Sequence, residues 1–315
     1  MTVLIGANCT YYNRIMARKD LVDGSNAYKG RKFKDAEQLF RDAVARDPNG
    51  ETIEGRTAQL FLARTLHSEF IGNRKETSVA EEAITQYQKA LALDANDQSS
   101  YKAIASLFEN LQQNDKWLDW VTKRSTNTGI APEQRAEALT SLAAKKNSCA
   151  NDISDTEATK KTVTKDGKQA FQFVKPASPE DYDTMKKCID EGMQLASQAV
   201  GLESPEVKGA KSLDLKALSD GDLVRKMDLF KVFESARSYN ASLLIQNMRL
   251  AEMDGRNEDR DRLKTESEAA RANFLELSDV VKKIQAEIDD RKAKKAAEAP
   301  GAAKPAANST NLENK

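Results

Sequence analysis

Between residues 24 and 48, small and large apolar side chains recur at helical spacing: Gly24, Tyr28, Phe33, Ala36, Phe40, Ala43 and then Pro48. Two antiparallel helices can approach closely only where bulk is missing. Gly24, Ala36 and Ala43 remove it, while Tyr28, Phe33 and Phe40 fill the holes between the rods. Pro48 lacks an amide hydrogen and stops the second helix. A chain patterned in this way is committed to paired helices.

A second copy reads with Ala63 and Leu66 on its first helix and Ala83, Tyr87, Ala90 and Asp94 on its second. A third starts at Tyr101, with Ile104, Ala105 and Phe108 on one face. Trp117 and Trp120 come next, where small residues would be expected. Pro132 and Glu133 open another helix, with Ala136, Leu139, Leu142 and Ala143 on one stripe. This order of small and large residues resembles the tetratricopeptide repeat, most clearly over 20–48 and more loosely over 18–275. The family repeats every ~34 residues, whereas Ala43 and Ala90 are 47 apart. The polar run from Asn73 to Ser78, together with a lengthened first helix, is the expected place for the excess.

The repeat pattern is then interrupted. Two alternating segments, Thr162 to Lys165 and Lys168 to Phe173, flank Asp166-Gly167, the strongest two-residue signal for a β-hairpin, expected over 161–174. Ser178, Pro179, Glu180 and Asp181 supply an N-cap, a proline in the first turn and early acidic charge, so a helix resumes and runs to about Leu202. Residues 206–222 read as a loop with a short helix. A fifth unit places Tyr239, Leu243, Leu244 and Met248 on one face and turns at Asp254-Gly255. In the final helix Leu263, Ser267, Ala270, Phe274, Leu277, Val281, Ile284 and Ile288 form a heptad stripe. The stripe either packs on the preceding helix as a cap or pairs with a second copy, which makes residues 263–288 a candidate homodimer seam.

The expected organisation is an N-terminal segment over 1–17, repeats over 18–150, the hairpin insertion over 151–178 and repeat-like helices over 179–290. A tail over 291–315, rich in alanine, lysine and proline, is expected to be disordered. The fold class is all-α, a tetratricopeptide-like helical-hairpin solenoid with a small β-hairpin insertion.

Composition narrows function. The 49 basic and 49 acidic residues cancel, which argues against electrostatic capture of nucleic acid. The basic run from Arg291 to Lys295 has no interleaved aromatics and reads as a solvated helix end. One histidine, His67, and three cysteines exclude multi-histidine metal centres and four-cysteine zinc sites. No phosphate loop, nucleophile elbow or calcium loop is present, so neither an enzyme nor a bound cofactor is expected. Adjacent carboxylates such as Glu81-Glu82 and Asp289-Asp290 diverge by about 100° on a helix and read as solvated faces.

Cys149 and Cys188 bracket the insertion and would close a 39-residue loop if oxidised. The chain-entropy model assigns such a bridge roughly 4 kcal/mol, and it persists only outside the reducing cytosol. The other reading is two buried thiols acting as small hydrophobes. Residues 3–9 end a short apolar run in small residues and a cysteine, which resembles the tail of a bacterial lipoprotein signal, although Asn8 departs from that pattern. If translation begins upstream of Met1, Cys9 would carry the lipid, the only membrane attachment expected.

The tetratricopeptide resemblance implies a protein or peptide partner held on a concave face lined by the first helix of each pair, with Asn26, Arg64 and Lys102 as candidate contacts. The chaperone-binding branch clamps a terminal carboxylate with a lysine and an asparagine. Here those positions are Leu21 and Ser25, so that clamp is missing. Some envelope lipoproteins that help assemble outer-membrane proteins or pili share this organisation. The resulting expectation is a non-catalytic interaction scaffold in the bacterial envelope or periplasm. The alternative is a cytoplasmic adaptor that dimerises through its last helix.

Overall fold

The computed structural model describes residues 5–165 and 167–298, with side chains from residue 11 onward and Lys165 apart. It divides into two compact units, the first ending at Ile130 and the second beginning at Ala131.

The first unit contains α1 (Ile5–Lys29), α2 (Phe33–Arg46), α3 (Ile53–Gly72), α4 (Thr77–Leu93), α5 (Gln98–Asn110) and α6 (Asn114–Thr126), which pack as successive hairpins α1–α2, α3–α4 and α5–α6. In the first hairpin Gly24 lies directly under Phe40. A Cβ there would stand 2.7 Å from the ring, and Phe40 is fully buried with Ala36 and Ala43 beside it. Burying one such ring contributes about 1.5–3 kcal/mol.

Helix α1 begins well before the expected start at Arg18, so residues 5–17 are the first turns of a repeat helix and not a separate segment. The excess residues of the second hairpin lie in its helices. Only Asn73–Glu76 intervene between the 20 residues of α3 and the 17 of α4.

The second unit contains α7 (Pro132–Ser154), strands β1 (Lys160–Lys165) and β2 (Lys168–Phe173), α8 (Pro179–Gly201), the one-turn α9 (Pro205–Lys208), two 3₁₀ turns, α10 (Asp220–Met253) and α11 (Asn257–Glu298). Helices α7 and α8 form one hairpin with the β-hairpin inserted at its tip, α10 packs on both, and α11 packs on α10. The all-α fold of repeated hairpins with a two-stranded insertion is therefore present. The strands pair antiparallel, Thr162 opposite Phe171. The expected cap forms, the Ser178 hydroxyl accepting from Asp181 N at 3.2 Å; Ser219, in the segment read as a loop, caps α10 in the same way, accepting from Asp222 N at 3.1 Å.

Three boundaries move. The division falls after Ile130 and not at 150, because α7 pairs with α8 and so belongs with the later helices. The fifth hairpin is longer than its sequence pattern, with α10 spanning 34 residues. The tail expected from Arg291 starts no earlier than residue 299, because α11 continues through Glu298. Arg291 holds this end: it donates to Leu218 O at 2.8 Å and Leu215 O at 3.0 Å and pairs with Asp220. Residues 299–315 lie outside the described residues.

Three of the hairpins share one turn. Arg31 (φ 59), Gln112 (φ 57) and Gly255 (φ 71) each adopt the left-handed conformation. The next amide donates five residues back in every case: Lys32 N to Ala27 O, Gln113 N to Phe108 O and Arg256 N to Ala251 O, each at 2.9 Å. This is the Schellman closure, which normally selects glycine. At Arg31 and Gln112 an L side chain bears a cost of roughly 1–2 kcal/mol. Gln112 is exposed, so replacing it removes no packing. Gln112→Gly is expected to raise unfolding stability by about 0.5–1 kcal/mol, the steric relief less the entropy of a freer unfolded chain. Urea titration would show this as a higher midpoint at unchanged slope, and a lower midpoint would contradict the assignment.

Candidate protein-interaction surface

The first helices of the first unit lie side by side and parallel. Arg14 Nε meets Glu54 at 3.3 Å and Tyr28 Oη meets Ser68 Oγ at 3.0 Å, both pairs 40 residues apart, so α1 and α3 advance in the same direction. The Arg64 guanidinium donates to Ser99 Oγ at 3.0 Å, 35 residues on, which brings α5 to the other side of α3.

On that side α3 presents Ile53, Thr57, Leu60 and Arg64, spaced 4, 3 and 4 along one face. Next to this stripe an open cleft of ≈ 340 Å³ is lined by Ile53 and Leu60 from α3, Ala90 and Leu93 from α4, and Arg56 and Asp97. Ile53 is 68% exposed although apolar. Arg56 is held at the cleft by donation to Gly50 O at 2.9 Å. Gly50 has φ 60, and a Cβ on it would stand 2.6 Å from Leu93, so glycine is required for both conformation and space.

The polar rim is pre-organised. Ser99 and Ser100 hydroxyls donate to Asp97 at 2.7 and 2.5 Å, and Ser99 N donates to the same carboxylate at 3.0 Å. Burial pushes the Asp97 pKa up, but these hydrogen bonds outweigh it and hold the carboxyl below its usual range. Arg64 lies over the Phe61 ring at 5.4 Å. The surface therefore offers an apolar floor, fixed charges of both signs and hydroxyls. No group of three histidine, cysteine, aspartate or glutamate side chains suited to a metal occurs among the described residues.

Of the residues singled out in the sequence, Arg64 and Lys102 come to this flank, Lys102 exposed one turn beyond Ser99 on α5. Asn26 does not join them. It lies about 160° around α1 from Tyr28, the residue that reaches α3, and is exposed on the far flank with Val22. The cleft itself was not legible in the sequence, since α3, the end of α4 and the cap of α5 are brought together only by the fold. The side chain of Cys9 lies outside the described residues. Cys149 and Cys188 are bonded, with Cα atoms 6.2 Å apart, beside Ala150, Met185, Ile189 and Leu250.

The heptad stripe of α11 faces α10. Leu263, Ser267, Leu277, Val281, Ile284 and Ile288 are buried within the chain, and α10 and α11 pack along their length. A homodimer through residues 263–288 thus loses the apolar seam it was expected to use.

No family model matches the sequence, and no curated protein matches it. Its likenesses are to solved structures. One is Pseudomonas aeruginosa pilF, solved in its functional characterization, at 15% identity and a TM-score of 0.31, over 87% of this chain and 99% of that one. Another is a tetratricopeptide repeat protein from Parabacteroides merdae, at 12% identity and a TM-score of 0.33, over 86% of this chain and 99% of that one. No residue role passes from either to this chain.

His67 lies on α3 against α4, its Nδ1 3.3 Å from Tyr87 Oη and the two rings edge to face at 6.0 Å. Burial, and to a lesser extent the Arg74 charge, lowers its pKa. The folded state therefore binds the proton less readily than the unfolded chain, whose value is about 6.5. Stability from neutral His67 is complete above about 6.5 and declines as the pH falls through that value toward the lower folded one. Subtracting the urea stability of His67→Gln from that of the parent protein between pH 7.5 and 5 should leave a step that falls toward acid. A flat difference would mean that the ring is not desolvated.

Proposed function

We propose that this chain is a non-catalytic interaction scaffold of the bacterial cell envelope, holding a partner polypeptide on the α3–α5 flank of its first unit. The observation that carries this reading is the exposed Ile53 at the mouth of an apolar cleft rimmed by Arg56 and the hydrogen-bonded Asp97 carboxylate, with Arg64 beside it on Ser99. Surface pockets of this composition anchor a few large side chains, and most of the binding energy concentrates there.

The envelope placement is supported by the Cys149–Cys188 bridge, which a reducing compartment would open. It is also supported by the short apolar run with small residues before Cys9, the residue that carries the lipid in this reading. No described helix is long and apolar enough to cross a membrane.

Ile53→Asp and Arg64→Glu alter side chains outside the core. Each is expected to weaken saturable capture of the partner from envelope extracts by roughly tenfold or more while leaving helicity unchanged. Capture that survives both variants would remove the cleft from the binding surface. In protein isolated without reductant, Cys149 and Cys188 should resist alkylation until dithiothreitol is added. Prompt labelling of both would exclude the oxidising location. Opening the bridge should lower stability by roughly 4 kcal/mol.

A further inference from the structure

The inserted β-hairpin is tied down at its base and open along one edge. Thr159 closes the base: Val174 N donates to Thr159 O at 2.8 Å, and the Thr159 hydroxyl donates to Ile153 O at 3.0 Å. Arg249 of α10 lies over the Phe173 ring at 4.5 Å, and Lys160 pairs with Asp155 at 2.7 Å. The ribbon is thus held by both α7 and α10, while Phe171 near its middle is 61% exposed.

The ladder shows which backbone groups remain. Lys160 faces Phe173, Thr162 faces Phe171 and Thr164 faces Gln169. The Thr159 and Val174 pair is hydrogen-bonded. Antiparallel pairs alternate, so Lys161 and Val163 spend their amides on β2, whereas the N–H and C=O groups of Thr162 and Thr164 point away from it; the Lys160 amide, also turned outward, is taken by Thr156 O at 2.8 Å. Helix α10 packs beside β2; β1 forms the outer edge. Open edges of this kind accept another strand.

The side chains select which strand. Four lysines, Lys160, Lys161, Lys165 and Lys168, and no acidic residue lie on the two strands. A basic or neutral edge partner would place like charges or an unpaired row opposite them, whereas a carboxylate opposite Lys161 of β1 would be matched. We propose that β1 is a second docking site, where an extended, acidic segment of a partner polypeptide adds as a third strand. The site belongs to the second unit and is independent of the cleft near α3.

The test uses the full chain and the capped peptide (Glu-Val)4, with (Lys-Val)4 as its counterpart. The acidic peptide should slow amide exchange at Thr162 and Thr164 by roughly tenfold or more and leave Lys161 and Val163, already bonded, little changed. Thr162→Pro removes an outward amide without touching the ladder and should abolish that protection while thermal unfolding stays the same. Lys161→Glu should weaken protection by the acidic peptide and strengthen that by the basic one. Ile53→Asp should leave all of this unaltered, which separates the site from the cleft. The proposal is overturned if neither peptide protects the edge, if both protect it equally, or if a single-stranded oligonucleotide protects the same amides better than the acidic peptide.

Discussion

The close approach of paired helices sets everything else in this protein, and it depends on the absence of a few carbon atoms. Gly24 admits the Phe40 ring to the backbone of α1, and in the second unit Gly192 of α8 does the same for Leu243 of α10, where a Cβ would stand 2.6 Å away. Interiors are close-packed, so an added methyl at either place cannot be absorbed by a void. Once the rods are this near, side chains at the next positions are aligned with those of the neighbouring hairpin. Tyr28 then reaches Ser68, and Arg64 reaches Ser99.

Between hairpins of the first unit the fit is polar as well as apolar. Lys34 donates to Glu69 at 2.6 Å and to Glu37 at 3.2 Å, while Arg41 joins Glu37 at 2.7 Å to Glu82 at 2.5 Å. The string of charges ties α2 to both helices of the following pair. Burial raises the pKa of Glu69 even with Lys34 beside it, the expected result for a carboxylate withdrawn from water next to a second one. Exposed pairs of this kind contribute little individually; their effect is to fix register, and register positions the walls of the cleft.

The helices of this fold were largely legible because their signals are local. Alternation around Asp166-Gly167 announced the hairpin, and Ser178-Pro179 announced the start of α8. The small-residue stripe of 24–43 identified the first pair. Where local signals were silent, the reading shifted. Residues 5–17 carry no apolar periodicity yet continue α1, since once a helix is nucleated each further residue adds a hydrogen bond at little cost. Arg291 lies in a composition typical of tails, but its two terminal nitrogens find carbonyls and a carboxylate some 70 residues earlier in the chain, while Nε pairs with Glu287 one turn back. The turns at Arg31 and Gln112 gave no warning, because neither residue is a usual left-handed one. Of the candidate surface, Arg64 and Lys102 were reachable from helix position alone. Ile53, Leu93 and Asp97 were not, as their proximity is a tertiary fact.

The bond between Cys149 and Cys188 has a mechanical meaning beyond its contribution to stability. It joins α7 to α8 ahead of the inserted ribbon, so tension applied at the ends of the chain crosses the sulfurs and bypasses residues 150–187. A protease that clipped the exposed ribbon would likewise leave the two halves covalently joined. The protein can therefore project a vulnerable two-stranded finger into its surroundings while the rest of the chain stays in one piece.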